Sequence, residues 1–100
     1  MKSEKNMPRK ISFAPAFDED LSEIREYLRN NDFDVAITSH IIDEIIDRLT
    51  KFPKFGRVYE RNPKYRSFIV KKRNVVFYRI VDDEEILVLR IRAGSQKKDV

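Results

Sequence analysis

The chain has 100 residues, enough for one small domain with a single hydrophobic core. It contains no cysteine and one histidine, which excludes a disulfide framework and argues against a structural zinc site. No apolar run approaches the roughly 20 residues of a membrane span, and the N-terminus lacks the apolar segment of a signal peptide. We therefore expect a cytoplasmic domain without a cofactor, a metal or a membrane partner.

Charge is divided unevenly along the chain. Residues 18–50 carry 10 acidic and 3 basic side chains, a net charge of −7, whereas residues 51–81 carry 10 basic and 1 acidic, a net charge of +9. Such a domain could bind nucleic acid or an acidic protein segment through its second half, although a solvated charged surface gives the same pattern.

The first half of the chain predicts one short strand and two helices. Residues 1–10 are polar and mostly basic, and we expect them to form a flexible segment. Ile11–Phe13 alternates as a strand does, and Pro15 ends it. Apolar residues then recur at helical spacing, which predicts helices over Asp18–Asn31 and Asp34–Thr50. The short connection predicts a helical hairpin.

The second half predicts a basic loop over residues 53–64 and then three strands. β-type runs cover Arg66–Val70, Val75–Ile80 and Ile86–Ala93, and the short turns between them suit an antiparallel sheet. The predicted fold class is therefore α+β: an N-terminal strand, a helical hairpin and a three-stranded antiparallel sheet, in one domain over residues 11–100.

Alternation along the strands predicts the two faces of the sheet. Val76, Tyr78 and Ile80 form a uniformly apolar or aromatic set, which should pack under the helices. The opposite face combines apolar side chains with arginines: Arg66, Phe68, Val75, Phe77, Arg79, Val88, Arg90 and Arg92. An exposed apolar surface rimmed by arginine is typical of a protein-binding site.

The order and spacing of these elements resemble the RelE/ParE superfamily, the toxins of type II toxin–antitoxin systems. The matching stretches are Ile11–Phe13, Asp20–Leu28, Ala36, Leu49–Arg57, Tyr65–Val70 and Val75–Ile80. The resemblance covers about residues 11 to 94. It implies a cognate antitoxin whose amphipathic C-terminal segment covers the helical hairpin and the edge of the sheet. Contact with operator DNA would then occur only through the antitoxin.

One branch of the superfamily is catalytic. RelE-like members cleave mRNA on the ribosome with two basic residues on the first long strand, an arginine on the middle strand and an arginine in the C-terminal segment. Here these positions fall on Arg66, Phe68, Val75 and Gln96, and the tail Gly94–Val100 lacks the expected Tyr or His. One match in four argues against ribonuclease activity.

The ParE branch, whose members poison DNA gyrase, matches better. It combines a first-strand arginine, here Arg66, with hydrophobic residues before a Tyr-Arg pair, here Val75–Arg79, and an arginine-rich last strand. The histidine that often precedes the next glycine is replaced by Ala93. The resemblance implies a growth-inhibiting toxin of the plasmid-stabilization type, which poisons gyrase without a catalytic group of its own.

Two groups of candidate residues follow. The candidates for binding the target or nucleic acid are Arg57, Arg61, Arg66, Arg79, Arg90, Arg92, Lys97 and Lys98. The candidates for binding the antitoxin are Phe68, Val75, Phe77 and Val88. Two alternatives stay open: a ribosome-dependent mRNA interferase that uses Arg57, Arg61, Arg66, Lys71 and Arg79, and an inactive binding module with the toxin fold. No catalytic residue is assigned.

Overall fold

The structure is a computed structural model that describes residues 10–93. Its elements are β1 (Lys10–Phe13), α1 (Pro15–Asn30), α2 (Ile37–Lys51), β2 (Arg57–Val58), β3 (Tyr65–Val70), β4 (Asn74–Asp82) and β5 (Glu85–Ala93). The predicted α+β class is confirmed, but the sheet has five strands, because β1 joins it and the predicted basic loop contains β2. The predicted flexible segment lies outside the described residues, apart from Lys10, which begins β1.

The strands are ordered β1-β5-β4-β3-β2, and β1 runs parallel to β5 while the other pairs are antiparallel. Both outer strands are short. β1 pairs with β5 only as far as Val88, and β2 pairs with β3 only at Arg66 and Ser67. Within the described residues, Leu89–Ala93 and Phe68–Val70 therefore have no strand on their outer side.

The helices differ from prediction at their first turns. α1 begins at Pro15 because the fixed φ of proline suits the first helical position. α2 begins later than predicted, because the Asp34 carboxylate accepts a hydrogen bond of 2.9 Å from the Ala36 N–H and forms a turn there. Each helix buries one stripe against the sheet: Phe17, Leu21, Ile24 and Leu28 in α1, and Thr38, Ile41, Ile45 and Leu49 in α2.

The hydrophobic core lies between these stripes and one face of the sheet, which we call the core face. The sheet contributes Phe68, Val70, Val76, Tyr78, Ile86, Val88 and Ile91, all buried. Burying a side chain of this size stabilises the fold by about 1.5–3 kcal/mol. Because the buried stripes of both helices belong to this core, neither helix lies across the other face of the sheet, which we call the open face.

The predicted faces are correct for β4 but wrong for β3. Phe68 pairs with Val76, so both project from the same side, and Phe68 is only 7% exposed. Its ring contacts those of Phe55 and Tyr78, with centroids 4.8 and 5.7 Å apart. Arg66 belongs to the same face because it pairs with Tyr78. Arg66 lies on this face because its guanidinium donates hydrogen bonds to backbone carbonyls of the preceding loop.

In β5 the predicted faces are wrong before a β-bulge and correct after it. Phe77 pairs with Arg90, whereas the next residue, Tyr78, pairs with Val88, so Leu89 is an extra residue. Val88 is consequently buried, while Arg90 and Arg92 reach the open face. A one-residue insertion reverses the alternation, and a periodic pattern alone does not reveal where it occurs.

Candidate functional site

The open face has an aromatic centre. Phe77 of β4 meets Tyr59, which follows β2, and their rings make an edge-to-face contact with centroids 6.0 Å apart. Tyr59 is held in place because its N–H donates a hydrogen bond of 2.9 Å to the Tyr65 carbonyl. Both rings remain partly accessible to solvent. The open face therefore presents aromatic edges and faces where a bland surface would carry small polar side chains.

Two shallow hollows flank this aromatic centre. The first has a volume of about 710 Å³, and its apolar wall is formed by Val75, Phe77 and Leu89, with Arg90 and Arg92 beside them. The second has a volume of about 730 Å³ and contains Arg57 and Arg61. Tyr59 and Phe77 line both hollows, so the two are neighbouring parts of one surface.

Arg90 is tied to the helical layer. Its guanidinium donates two hydrogen bonds of 2.8 and 2.9 Å to the Asp20 carboxylate, which also accepts one of 3.0 Å from the Ile91 N–H. Burial acts to raise the pKa of Asp20, but these hydrogen bonds and the charges of Arg90 and Arg92 outweigh it and lower that pKa. Asp20 thus accepts a hydrogen bond from a backbone N–H at the outer edge of β5 and holds the Arg90 side chain in place.

Several arginines around the aromatic centre lack a hydrogen-bonding partner in the described part of the chain. The side chains of Arg57, Arg61, Arg79 and Arg92 make no hydrogen bond or salt bridge to any residue within 10–93. Such groups are available to a negatively charged partner.

Arg66, in contrast, is hydrogen-bonded to the backbone of the preceding loop. Its Nη1 donates hydrogen bonds of 3.1 and 3.0 Å to the carbonyls of Lys54 and Gly56. The hydroxyl of Tyr78 donates one of 2.8 Å to the Pro53 carbonyl and accepts one of 3.1 Å from the Gly56 N–H. Burial raises the pKa of Tyr78, although the Gly56 hydrogen bond and the Arg66 charge oppose this. Gly56, Arg66 and Tyr78 form what we call the loop clamp, which holds the chain that leads to Tyr59.

The loop clamp requires glycine at position 56. A Cβ there would lie 2.7 Å from the Tyr78 Oη and 2.8 Å from its Cε1, closer than side chains tolerate. Sequence reasoning placed Gly56 only in a basic loop and missed this role. The available signal was that Gly56 is one of only two glycines in the chain.

The structure brings most of the predicted target-binding residues to one surface: Arg57, Arg61, Arg79, Arg90 and Arg92 all belong to the open face. Arg66 belongs to the loop clamp, and Lys97 and Lys98 lie outside the described residues. Among the predicted antitoxin-binding residues, Val75 and Phe77 line the first hollow. Phe68 and Val88 are buried, so placing them on the open face was wrong. The binding roles themselves stay predictions.

A third hollow lies on the helical side, and we call it the helix groove. It has a volume of about 430 Å³ between α1, α2 and the turn after β3, and Lys71 and Arg73 stand at its rim. Tyr27 and Phe33 line it with side chains that are 50% and 54% exposed. His40 also lines this groove. Exposed aromatic side chains beside an apolar hollow are typical of a protein contact.

Some kinds of site find no support in the described chain. Within residues 10–93, no three His, Cys, Asp or Glu side chains come together in a way that could ligate a metal ion. Neither α1 nor α2 is long and apolar enough to cross a membrane.

The sequence profile of the ParE toxin of type II toxin–antitoxin systems, parDE, matches residues 11–98. The chain belongs to the ParE toxin family. The predicted membership of the RelE/ParE superfamily is thereby confirmed, and the chain is a type II toxin by family. No curated protein sequence is significantly similar to this toxin.

Solved structures of toxin–antitoxin complexes share the fold. A chain of the ParDE system from P. aeruginosa is 18% identical, with a TM-score of 0.68 over 85% of this chain and 95% of that chain. A chain of the RelBE2 complex from Mycobacterium tuberculosis is also 18% identical, with a TM-score of 0.67 over 87% of this chain and 99% of that chain. A chain of the DinJ-YafQ complex from E. coli is 13% identical, with a TM-score of 0.56 over 91% of this chain and 98% of that chain. At these identities the likeness concerns the fold.

Proposed function

We propose that this toxin inhibits growth by binding DNA gyrase through the open face and trapping it, without a catalytic step of its own. The observation that carries the proposal is the position of Val75. Where the ribonuclease pattern has a middle-strand arginine, Val75 forms part of an apolar wall with Phe77 and Leu89. The second basic position of the first long strand holds Phe68, which is buried. RNA cleavage requires cations that stabilise the negative charge developing on the phosphate, and neither of these two positions supplies one.

A trapping toxin needs a binding surface rather than an acid and a base. The open face offers aromatic side chains and arginines, the residue types that dominate binding hot spots. Its arginines would also speed the encounter with a negatively charged protein–DNA complex. These properties support a docking function for the open face.

The test is a supercoiling assay with purified gyrase and toxin, scored for linear DNA from trapped cleavage complexes. We expect supercoiling to be lost and linear DNA to accumulate. Phe77→Ala should weaken this effect at least tenfold, because it removes the aromatic centre of the open face. Phe52→Ala is the matched control, since Phe52 is 62% exposed at the end of α2 and outside both hollows.

Folded toxin without an effect on gyrase would refute this proposal. Ribosome-bound mRNA should be tested in parallel, because cleavage there would identify the interferase alternative. If induction of the chain without an antitoxin leaves growth unchanged, the inactive binding module is the remaining reading.

A cognate antitoxin would cover the helix groove and the apolar part of the open face. The helices are acidic, so the contact at the helix groove should be mostly apolar and centred on Tyr27 and Phe33. We expect Phe33→Asp to weaken antitoxin binding strongly, because it places a charge in an apolar contact. Phe77→Asp tests the open face in the same titration. If neither variant changes the affinity, the antitoxin binds elsewhere.

A further inference from the structure

We propose that Arg66 is a positioning residue for the open face: it governs target binding through residues 57–61, which carry Tyr59, and does not touch the target itself. This rests on the function proposed above and deepens it, because it names a residue that controls the binding surface from the other side of the sheet. Its first test uses the free toxin, so it can fail independently of gyrase inhibition.

Residues 57–61 form one wall of the second hollow. Arg57, Tyr59 and Arg61 all line it, together with Phe77 of β4. Tyr59 also lines the first hollow, so its ring belongs to both parts of the open face. A displacement of this segment would therefore move two cations and half of the aromatic centre at once.

The segment makes few contacts of its own. β2 pairs with β3 at two positions, Arg57 with Ser67 and Val58 with Arg66. Val58 and Tyr59 are 41% and 39% exposed, so apolar burial contributes little to holding them in place. The position of the segment consequently depends on the stretch of chain that leads into it.

Arg66 fixes that leading stretch. Its Nη1 donates hydrogen bonds to the carbonyls of Lys54 and Gly56, and Gly56 is the residue directly before β2. A charged donor makes hydrogen bonds roughly twice as strong as those between neutral groups. Tyr78 holds the same stretch from the core, where its hydroxyl accepts a hydrogen bond from the Gly56 N–H. Removal of the guanidinium would leave this stretch attached from the core side alone.

The register of the sheet keeps Arg66 away from a ligand on the open face. Arg66 pairs with Tyr78 and projects with it from the core face, whereas the next residue, Ser67, pairs with Phe77. Arg92, by contrast, lines the first hollow and makes no hydrogen bond or salt bridge within residues 10–93. A ligand on the open face would meet Arg92 directly, and Arg66 would act on that ligand through the loop.

The first test measures the mobility of residues 57–61 in the free toxin. Because the chain contains no cysteine, Glu60→Cys accepts a single nitroxide spin label, and Asp43→Cys on α2 provides a reference site; both residues are exposed. We expect Arg66→Met to shorten the rotational correlation time of the label at position 60 about twofold or more, because fewer hydrogen bonds hold the segment. The label at position 43 should not change.

Two further variants make this readout specific. Arg66→Lys keeps the charge on a shorter side chain, so it should restore part of the lost order. Arg29→Met removes an exposed arginine from the last turn of α1 and should change neither label. If circular dichroism shows that Arg66→Met does not fold, Arg66→Lys carries the test, and the label at position 60 must then be more mobile than in the parent chain.

The second test is a double-mutant cycle in the gyrase supercoiling assay. We expect Arg66→Met and Tyr59→Ala each to raise the toxin concentration needed for half-inhibition about tenfold. Because Arg66 acts through the segment that carries Tyr59, the double variant should stay within about threefold of Tyr59→Ala alone. Two independent contacts would instead multiply to about a hundredfold.

A label at position 60 that is as ordered in Arg66→Met as in the parent chain would overturn the inference, whatever gyrase does. A multiplied loss in the double variant would overturn it as well, because Arg66 would then contact the target directly. A mobile segment in a toxin that leaves gyrase unaffected would refute the proposed function alone, and the positioning of residues 57–61 by Arg66 would stand.

Discussion

Phe77 and Tyr78 are neighbours in the same strand, yet they belong to opposite faces of the sheet and to different physical environments. Tyr78 is fully buried, and its hydroxyl both donates and accepts a hydrogen bond. Phe77 is partly exposed, and its ring contact is with Tyr59, which is itself exposed. Aromatic character is the same in both residues. Burial and satisfied polar groups distinguish the one that holds the fold from the one that is available for binding.

The arginines repeat this contrast. Arg66 uses its guanidinium on two backbone carbonyls of the preceding loop. Arg79, on the open face, has no such partner among residues 10–93. Residue type alone therefore does not separate structural from binding arginines in this sheet, whereas their acceptors do.

The largest effect on stability should come from Tyr78→Ala, which removes a fully buried ring and leaves the Gly56 N–H and the Pro53 carbonyl without their partner. We expect a loss of about 3–5 kcal/mol in the free energy of unfolding, measured by urea denaturation. Phe77→Ala should cost about 1 kcal/mol or less, because its ring is already partly exposed. Equal losses would show that the two faces do not differ as described.

Gly56→Ala should have the next largest effect. The added methyl group would collide with the buried Tyr78 ring, and we expect a loss of about 1–3 kcal/mol by the same denaturation experiment. Lys54→Ala in the same loop is the control, since the Lys54 side chain is exposed. A Gly56→Ala protein as stable as the control would mean that the loop moves away from Tyr78 at little cost.

Asp20→Asn should be destabilising at neutral pH by about 1–2 kcal/mol, because it weakens charge-assisted hydrogen bonds to Arg90. The lowered pKa of Asp20 gives this effect a pH dependence. A carboxylate with a folded pKa below its unfolded value of about 3.9 stabilises the fold above that pH, and the contribution is lost as the pH falls through the folded pKa. The free energies of unfolding of the unmodified chain and of Asp20→Asn, plotted against pH, should therefore differ near pH 7 and converge below about pH 4. A gap that persists in acid would point to lost packing instead.

The smallest effect should come from Arg79 and Arg92 on the open face. Arg79→Gln and Arg92→Gln should change the free energy of unfolding by less than about 0.5 kcal/mol, because neither side chain makes a hydrogen bond or salt bridge within residues 10–93. Thermal unfolding monitored by circular dichroism is sufficient to check this. A substantial loss for either variant would place it with Arg66, on the structural side of the comparison.

Much of this architecture could be predicted from the sequence because its signals are local. Helical spacing predicted both helices, and alternation correctly placed Val76, Tyr78 and Phe77. The bulge at Leu89 could not be predicted, because it depends on how β5 meets β4 and not on β5 alone. The same limit applies to Arg66 and Gly56, whose roles depend on a loop folding back onto Tyr78.

The short β2 strand has a consequence for self-association. Beyond Ser67, β3 keeps a free outer edge within the described chain, and Ile69 on that edge is 56% exposed. Such an edge can pair with the same edge of another copy. We expect the three exposed cations that follow it, Lys71, Lys72 and Arg73, to oppose such pairing, since two copies meeting there would bring like charges together. Salt screens that repulsion, so edge-to-edge aggregation of the free toxin should increase with ionic strength.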